Sequence, residues 1–106
     1  MATVNELDDS TFQETISQGV TLVDFWAPWC APCMMQGPIV ESVAEKIGNK
    51  ATIAKVNVDN AQRAASELGI RAIPTVLLFK DGKPVQQFVG ITQEGALLAA
   101  IEEASQ

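Results

Sequence analysis

The chain has 106 residues, 47% of them hydrophobic and a formal net charge of −6, so one domain over residues 1–106 can build its core without a disulfide framework. Its seven basic residues form no cluster, which argues against nucleic acid and anionic membrane as partners, and no segment approaches the ~18 apolar residues of a membrane span. Histidine is absent, which removes Cys-His and Ser-His nucleophiles and the usual zinc ligand sets.

Asp8-Asp9-Ser10-Thr11-Phe12 offers capping residues, and Phe12 and Ile16 stand four apart, predicting a short helix closed by Gly19. Val20–Trp26 (VTLVDFW) is β-branched and aromatic and too apolar for an exposed strand, so it reads as a central one. From Pro32 to about Ile47, Met35, Ile39, Val43 and Ile47 recur every four residues as a helix face. Pro38 within it cannot donate to the Met34 carbonyl and is expected to kink the helix. Ala51–Val58 reads as a strand, and Ala61–Leu68, ended by Gly69, as a helix with Ala64, Ala65 and Leu68 inward. Thr75–Lys80 is a strand, Asp81-Gly82 a hairpin turn, Val85–Val89 an antiparallel return and Thr92–Ala104 an amphipathic helix with Leu97, Leu98 and Ile101 apolar. The order (β)-α-β-α-β-α-β-β-α predicts an α/β fold. The expected architecture is a three-layer α/β/α sandwich with a mixed central sheet, parallel strands to which the hairpin adds an antiparallel edge.

Both cysteines fall in Trp29-Cys30-Ala31-Pro32-Cys33, where strand and loop hand over to the helix. Cys30 is placed to be the N-cap; because Pro32 has no N–H, the donor to its side chain is Cys33. The positive helix start favours a thiolate there, which marks Cys30 as the nucleophile. Cys33, three residues on, shares the helical face at ~5–6 Å and can close a reversible disulfide, resolving the mixed disulfide that Cys30 forms with a substrate. A static disulfide is the bland alternative, but so short a loop gains little from a cross-link. A metal shared across two chains is a second alternative.

Along its whole length the chain resembles the thioredoxin family. The resemblance rests on Val23-Asp24-Phe25-Trp26-Ala27, Trp29-Cys30-x-Pro32-Cys33, Pro38, Lys55-Val56-Asn57-Val58-Asp59, Gly69-Ile70-Arg71-x-Ile73-Pro74-Thr75, Phe79-x-x-Gly82 and Val89-Gly90. It implies the thioredoxin fold and a protein-disulfide reductase, an electron carrier in cell redox homeostasis. The exchange would need no bound cofactor, only the Cys30–Cys33 disulfide. Electrons would come from an NADPH- or ferredoxin-dependent thioredoxin reductase. Implied clients include ribonucleotide reductase, peroxiredoxin and methionine sulfoxide reductase. The opening residues lack the basic and apolar regions of a secretory signal, so the expected protein is a cytoplasmic monomer.

Asp24 interrupts an apolar strand. On pattern alone it fits a solvated strand face as well as a buried one. The resemblance selects a buried carboxyl of raised pKa that takes the Cys33 proton, with Lys55 as its charge partner; a solvent-facing Lys55 is the alternative. The resemblance further implies a cis Ile73–Pro74 bond. It also implies a flat uncharged rim of Trp29, Ala31, Pro32, Ile73, Pro74, Gly90 and Ile91 for docking client segments. Trp29 as a core aromatic is the competing possibility, whereas Trp26 reads as structural. Ala31 and Met34 depart from the family, which usually has glycine and lysine there, and Gly37 and Ala72 differ in a minor way.

Overall fold

Five consecutive residues of one apolar strand, Thr21–Phe25, are paired on both sides, and the sheet is arranged around them. In the computed structural model, which describes residues 4–106, that strand is β2 (Val20–Trp26). It follows β1 (Asn5–Leu7) and α1 (Phe12–Ile16). After it come α2 (Ala31–Ile47), a short 3-10 turn, β3 (Thr52–Asn57), α3 (Gln62–Glu67), β4 (Thr75–Lys80), β5 (Lys83–Val89) and α4 (Glu94–Ala104). The sheet order is β1-β3-β2-β4-β5.

Alternation along β2 divides the core. Val20 and Leu22 face α2 and α4, meeting Val40, Val43, Leu97 and Ile101. Val23 and Phe25 face the other way, against Phe12, Ile16 and Ala64 of α1 and α3. Period-2 strands between two helical layers give the expected three-layer sandwich.

Two expectations are corrected. The first concerns β4, which runs antiparallel to β2 as well as to β5, so the hairpin is not a single antiparallel addition to a parallel sheet. The chain enters β4 at the end where it left β3: Asn57 lies opposite Trp26, and Thr75 opposite Phe25. The six-residue α3, about 9 Å long, does not carry the chain back along the ~20 Å of a six-residue strand. The second is the buried face of α2, which consists of Cys33, Gln36, Val40, Val43, Ala44 and Ile47; Met35 is 63% exposed and Ile39 only half-buried. Strict four-residue spacing overshoots a helical turn by about 40° per step, so a true stripe alternates threes and fours. The helix is continuous through Pro38.

Asp81 and Gly82 both have positive φ, 51° and 88°, as a two-residue hairpin turn requires. Side chains then tie loops to elements. Asp9 accepts from the N–H groups of Ala64, at 2.8 Å, and Arg63, at 3.3 Å, fixing the start of α3. The fully buried Gln36 donates to the Thr92 carbonyl at 3.0 Å and accepts from the Thr92 N–H at 2.7 Å. It thereby pins the segment that follows β5 to α2. Gln36→Ala removes both partners of that backbone and is expected to destabilise the protein by roughly 2 kcal/mol, measured as a lower urea midpoint. An unchanged midpoint would show that this segment holds its place without Gln36.

Candidate active site

The ends of β2, β3 and β5 and the start of β4 meet at one edge of the sheet, where α2 begins. The Ala27–Trp29 loop leaves β2, and the Cys30 N–H donates to the Ala27 carbonyl at 3.1 Å. Cys30 is the N-cap of α2, with extended backbone, and its Sγ accepts from the Cys33 N–H at 3.3 Å. Proline in the first turn leaves that N–H as the available donor. Cys30 and Cys33 are joined as a disulfide with Cα atoms 5.3 Å apart, within the range such a bond needs.

The Ile73–Pro74 bond is cis. Cys30 Sγ lies 3.7 Å from the Ile73 carbonyl oxygen, and the Gly90 N–H donates to the Pro74 carbonyl at 2.8 Å. Trp29 is 70% exposed, with its indole N–H donating to Asp59 at 2.9 Å, so it is not a core aromatic. Ala31, Pro32 and Ile91 are exposed too, Ile73 and Gly90 are half-buried, and Pro74 is buried. Cys30, Cys33 and Ala27 form a small cluster against Trp26, Val58 and Ile73. Trp26 packs beneath the cysteine loop.

Behind the pair lies a cavity of about 290 Å³ lined by Asp24, Trp26, Cys33, Met34, Gly37, Pro38, Glu41 and Lys55. Asp24 is 2% exposed, and its Oδ1 has no hydrogen-bond partner among the described residues. Burial pushes its pKa from 3.8 up to about 7; Lys55 pulls it down and Glu6 pushes it up. Lys55 is opposite Asp24 in the sheet register. Its nearest carboxylate is nevertheless that of Glu6, at 3.9 Å, so Lys55 acts on Asp24 through its field and without an ion pair. Cys33 lines this cavity and Cys30 does not, an asymmetry that a linear sequence cannot display. Sequence reasoning passed over Glu6, Glu41 and Gln36. Gln36 had one legible signal: a polar residue three positions after Cys33 on its helical face.

No group of three or more Cys, Asp or Glu side chains able to hold a metal occurs among the described residues, and no helix there is long and apolar enough to cross a membrane. A buried disulfide at a helix start, beside a buried carboxyl and an exposed apolar rim, defines a thiol-disulfide exchange site.

The Thioredoxin family model matches residues 3–103. The chain is 47% identical over 100 residues to a thioredoxin of Chlorobaculum thiosulfatiphilum, covering 92% of this chain and 93% of that protein. It is 45% identical over 97 residues to a thioredoxin of Bacillus subtilis, covering 92% of each. The crystal structure of Malassezia sympodialis thioredoxin superposes with a TM-score of 0.88 at 36% identity, covering 100% of this chain and 94% of that one. The chain belongs to the thioredoxin family, and it is a protein-disulfide oxidoreductase.

The raised Asp24 pKa has a consequence for stability. Below pH 3.8 the carboxyl is protonated whether the chain is folded or not. As pH rises, the unfolded chain loses this proton first while the folded one holds it to about pH 7. Stability therefore falls across that window, by on the order of 4 kcal/mol. Asp24→Asn is expected to flatten this slope and to be the more stable protein at pH 8, as read from urea denaturation of the oxidised forms. Parallel stability–pH curves would contradict the assignment.

Proposed function

We propose that the protein reduces disulfides on client proteins by a two-step exchange in which Cys30 attacks and Cys33 resolves. The Cys30 thiolate, held by the Cys33 N–H and the start of α2, attacks a client sulfur. A Cys30–client bond forms and the client disulfide breaks, releasing one client thiolate. Asp24 takes the proton of Cys33, whose sulfur then attacks Cys30 Sγ. The Cys30–Cys33 bond forms, and the second client sulfur leaves and is protonated. Two electrons have passed to the client. The observation carrying this assignment of roles is the cavity that opens from Asp24 onto Cys33 and not onto Cys30. A carboxyl whose pKa is near 7 is matched to proton exchange at neutral pH, and Lys55 tunes it.

The rim of Trp29, Ala31, Pro32, Ile73, Pro74, Gly90 and Ile91 receives an extended client segment, with the Ile73 backbone beside Cys30 available to pair with it. The protein works as a single-domain monomer in the cytoplasm, without a bound cofactor. A thioredoxin reductase, NADPH- or ferredoxin-dependent, re-reduces it. Ribonucleotide reductase, peroxiredoxin and methionine sulfoxide reductase are clients in this reading. Family membership supports reductase and clients as classes.

Reduction of insulin disulfides tests the roles. Cys30→Ser is expected to abolish turnover; Cys33→Ser is expected to lose turnover and to accumulate a mixed disulfide through Cys30. Retained activity in Cys30→Ser, or no trapped adduct in Cys33→Ser, would reverse the assignment. Met34, 48% exposed and in the first turn of α2, supplies no charge near the Cys30 sulfur. Met34→Lys is expected to move iodoacetamide alkylation of Cys30 to lower pH; superimposable pH profiles would exclude that electrostatic effect.

A further inference from the structure

A row of side chains crosses the sheet beneath the N-terminal half of α2. Glu6 of β1 is opposite Lys55 of β3, Lys55 is opposite Asp24 of β2, and Asp24 is opposite Val76 of β4. Directly opposed residues share a face, so the row reads negative, positive, negative, apolar. Lys55 thus stands between two carboxylates with unlike surroundings: Glu6 is exposed, Asp24 buried.

The ammonium sits with the exposed partner. Lys55 Nζ is 3.9 Å from Glu6 Oε1 and 5.4 Å from the centroid of a Trp26 ring. Glu6 Oε2 accepts from the Trp26 indole N–H at 3.3 Å. Carboxylate, ammonium and indole form a closed set at one edge of the cavity. No ion pair joins Lys55 to Asp24, and Asp24 Oδ1 is unpartnered among the described residues. Opposed strand residues have Cβ atoms only ~5 Å apart, well within the reach of a lysine stem. Something must therefore hold the ammonium away from the buried carboxylate.

We propose that Glu6 is a positioning residue for the exchange reaction: by engaging Lys55 and Trp26 at the cavity edge, it keeps the ammonium from pairing with Asp24 and leaves that carboxyl free to carry the Cys33 proton. The inference rests on the reading of Asp24 as the proton acceptor. A buried Asp24–Lys55 pair would lock the carboxyl in its charged form, with its oxygens committed to the ammonium. Glu6 prevents this in two ways acting in the same direction: it competes for the cation, and its own negative charge disfavours ionisation of Asp24. The other groups facing Asp24 do not substitute for it. From α2 come the disulfide-bonded Cys33 and Glu41, which is exposed and makes no contribution to the Asp24 shift; β4 contributes Val76.

The side-chain carboxyl carbon of Asp24 can be titrated by NMR in the oxidised protein, where neither cysteine ionises. Wild type, Glu6→Gln, Lys55→Met and the double variant form a cycle. Glu6→Gln is expected to lower the Asp24 midpoint by roughly one pH unit. In the Lys55→Met background the same substitution is expected to shift it by less than half as much, because no ammonium remains to be released. An unmoved midpoint, or an equal shift in both backgrounds, overturns the proposal. The pH profile of mixed-disulfide resolution separates the underlying reading. If the NMR midpoint moves by the expected pattern and the resolution profile does not, Asp24 is not the acceptor, while Glu6 still places Lys55.

Discussion

A buried carboxyl with an oxygen that has no hydrogen-bond partner among the described residues, in the central strand of the sheet, is the constraint on which this molecule turns. Asp24 lies between Lys55 and Val76 in the sheet register and costs stability above acidic pH. An apolar residue would serve the stability of β2 better, and in the proposed exchange the cost is offset by chemistry. Burial raises the proton affinity of Asp24 to about neutral pH, and Asp24 and Cys33 line one cavity, which is what the proposed proton transfer between them draws on. Gly37 lines that cavity, and a Cβ built there would meet nothing within 4 Å. A larger side chain at this position would project into open space.

The direction of β4 is the second condition for the site. Were β4 parallel to β2, its first residues would lie at the opposite end of the sheet from Cys30. Because the chain re-enters at the end it left, the Ile73 carbonyl arrives 3.7 Å from the Cys30 sulfur. The return strand β5 then ends at the same edge, where Gly90 bonds back to Pro74. Gln36 completes the frame, because its amide spans α2 and Thr92. The apolar rim is thus assembled from three separate stretches of chain, each fixed by backbone hydrogen bonding. In the proposed docking role, rigid placement of this kind lowers the ordering cost of binding a client.

Much of this was legible along the chain because it is local. The boundaries of β2 and β4 follow from β-branched and aromatic runs, the Asp81-Gly82 turn from its positive-φ residues, and the Cys33 donor from the missing N–H of Pro32. Strand direction was not legible, since nothing local in Thr75–Lys80 states which end of the sheet it enters. The α2 stripe was misread because Met35 and Ile39 are apolar in type while Gln36 is polar, and residue type says nothing of a glutamine whose hydrogen bonds are all met inside. Asp24 was undecided for a related reason: alternation allows one wet face, and only the packing of α2 over β2 closes it. The contact of Lys55 with Glu6 was invisible because it depends on β1 lying beside β3, a pairing between segments far apart in the chain.

Met34 connects the chain's departures from its family to that buried carboxyl. It lines the same cavity as Asp24 and is also half exposed at the surface. A lysine there, as the family usually has, would place a second ammonium over the cavity. With methionine, Lys55 is the one cation among the described residues that line it. The charge balance at Asp24 then depends on where a single flexible side chain rests. A thioether also lowers the local polarity, which strengthens the field of whatever charge remains. The identity of residue 34 therefore bears on both thiols: it removes positive potential from the Cys30 sulfur, and it leaves the proton affinity of the group behind Cys33 to the competition between Glu6 and Asp24 for Lys55.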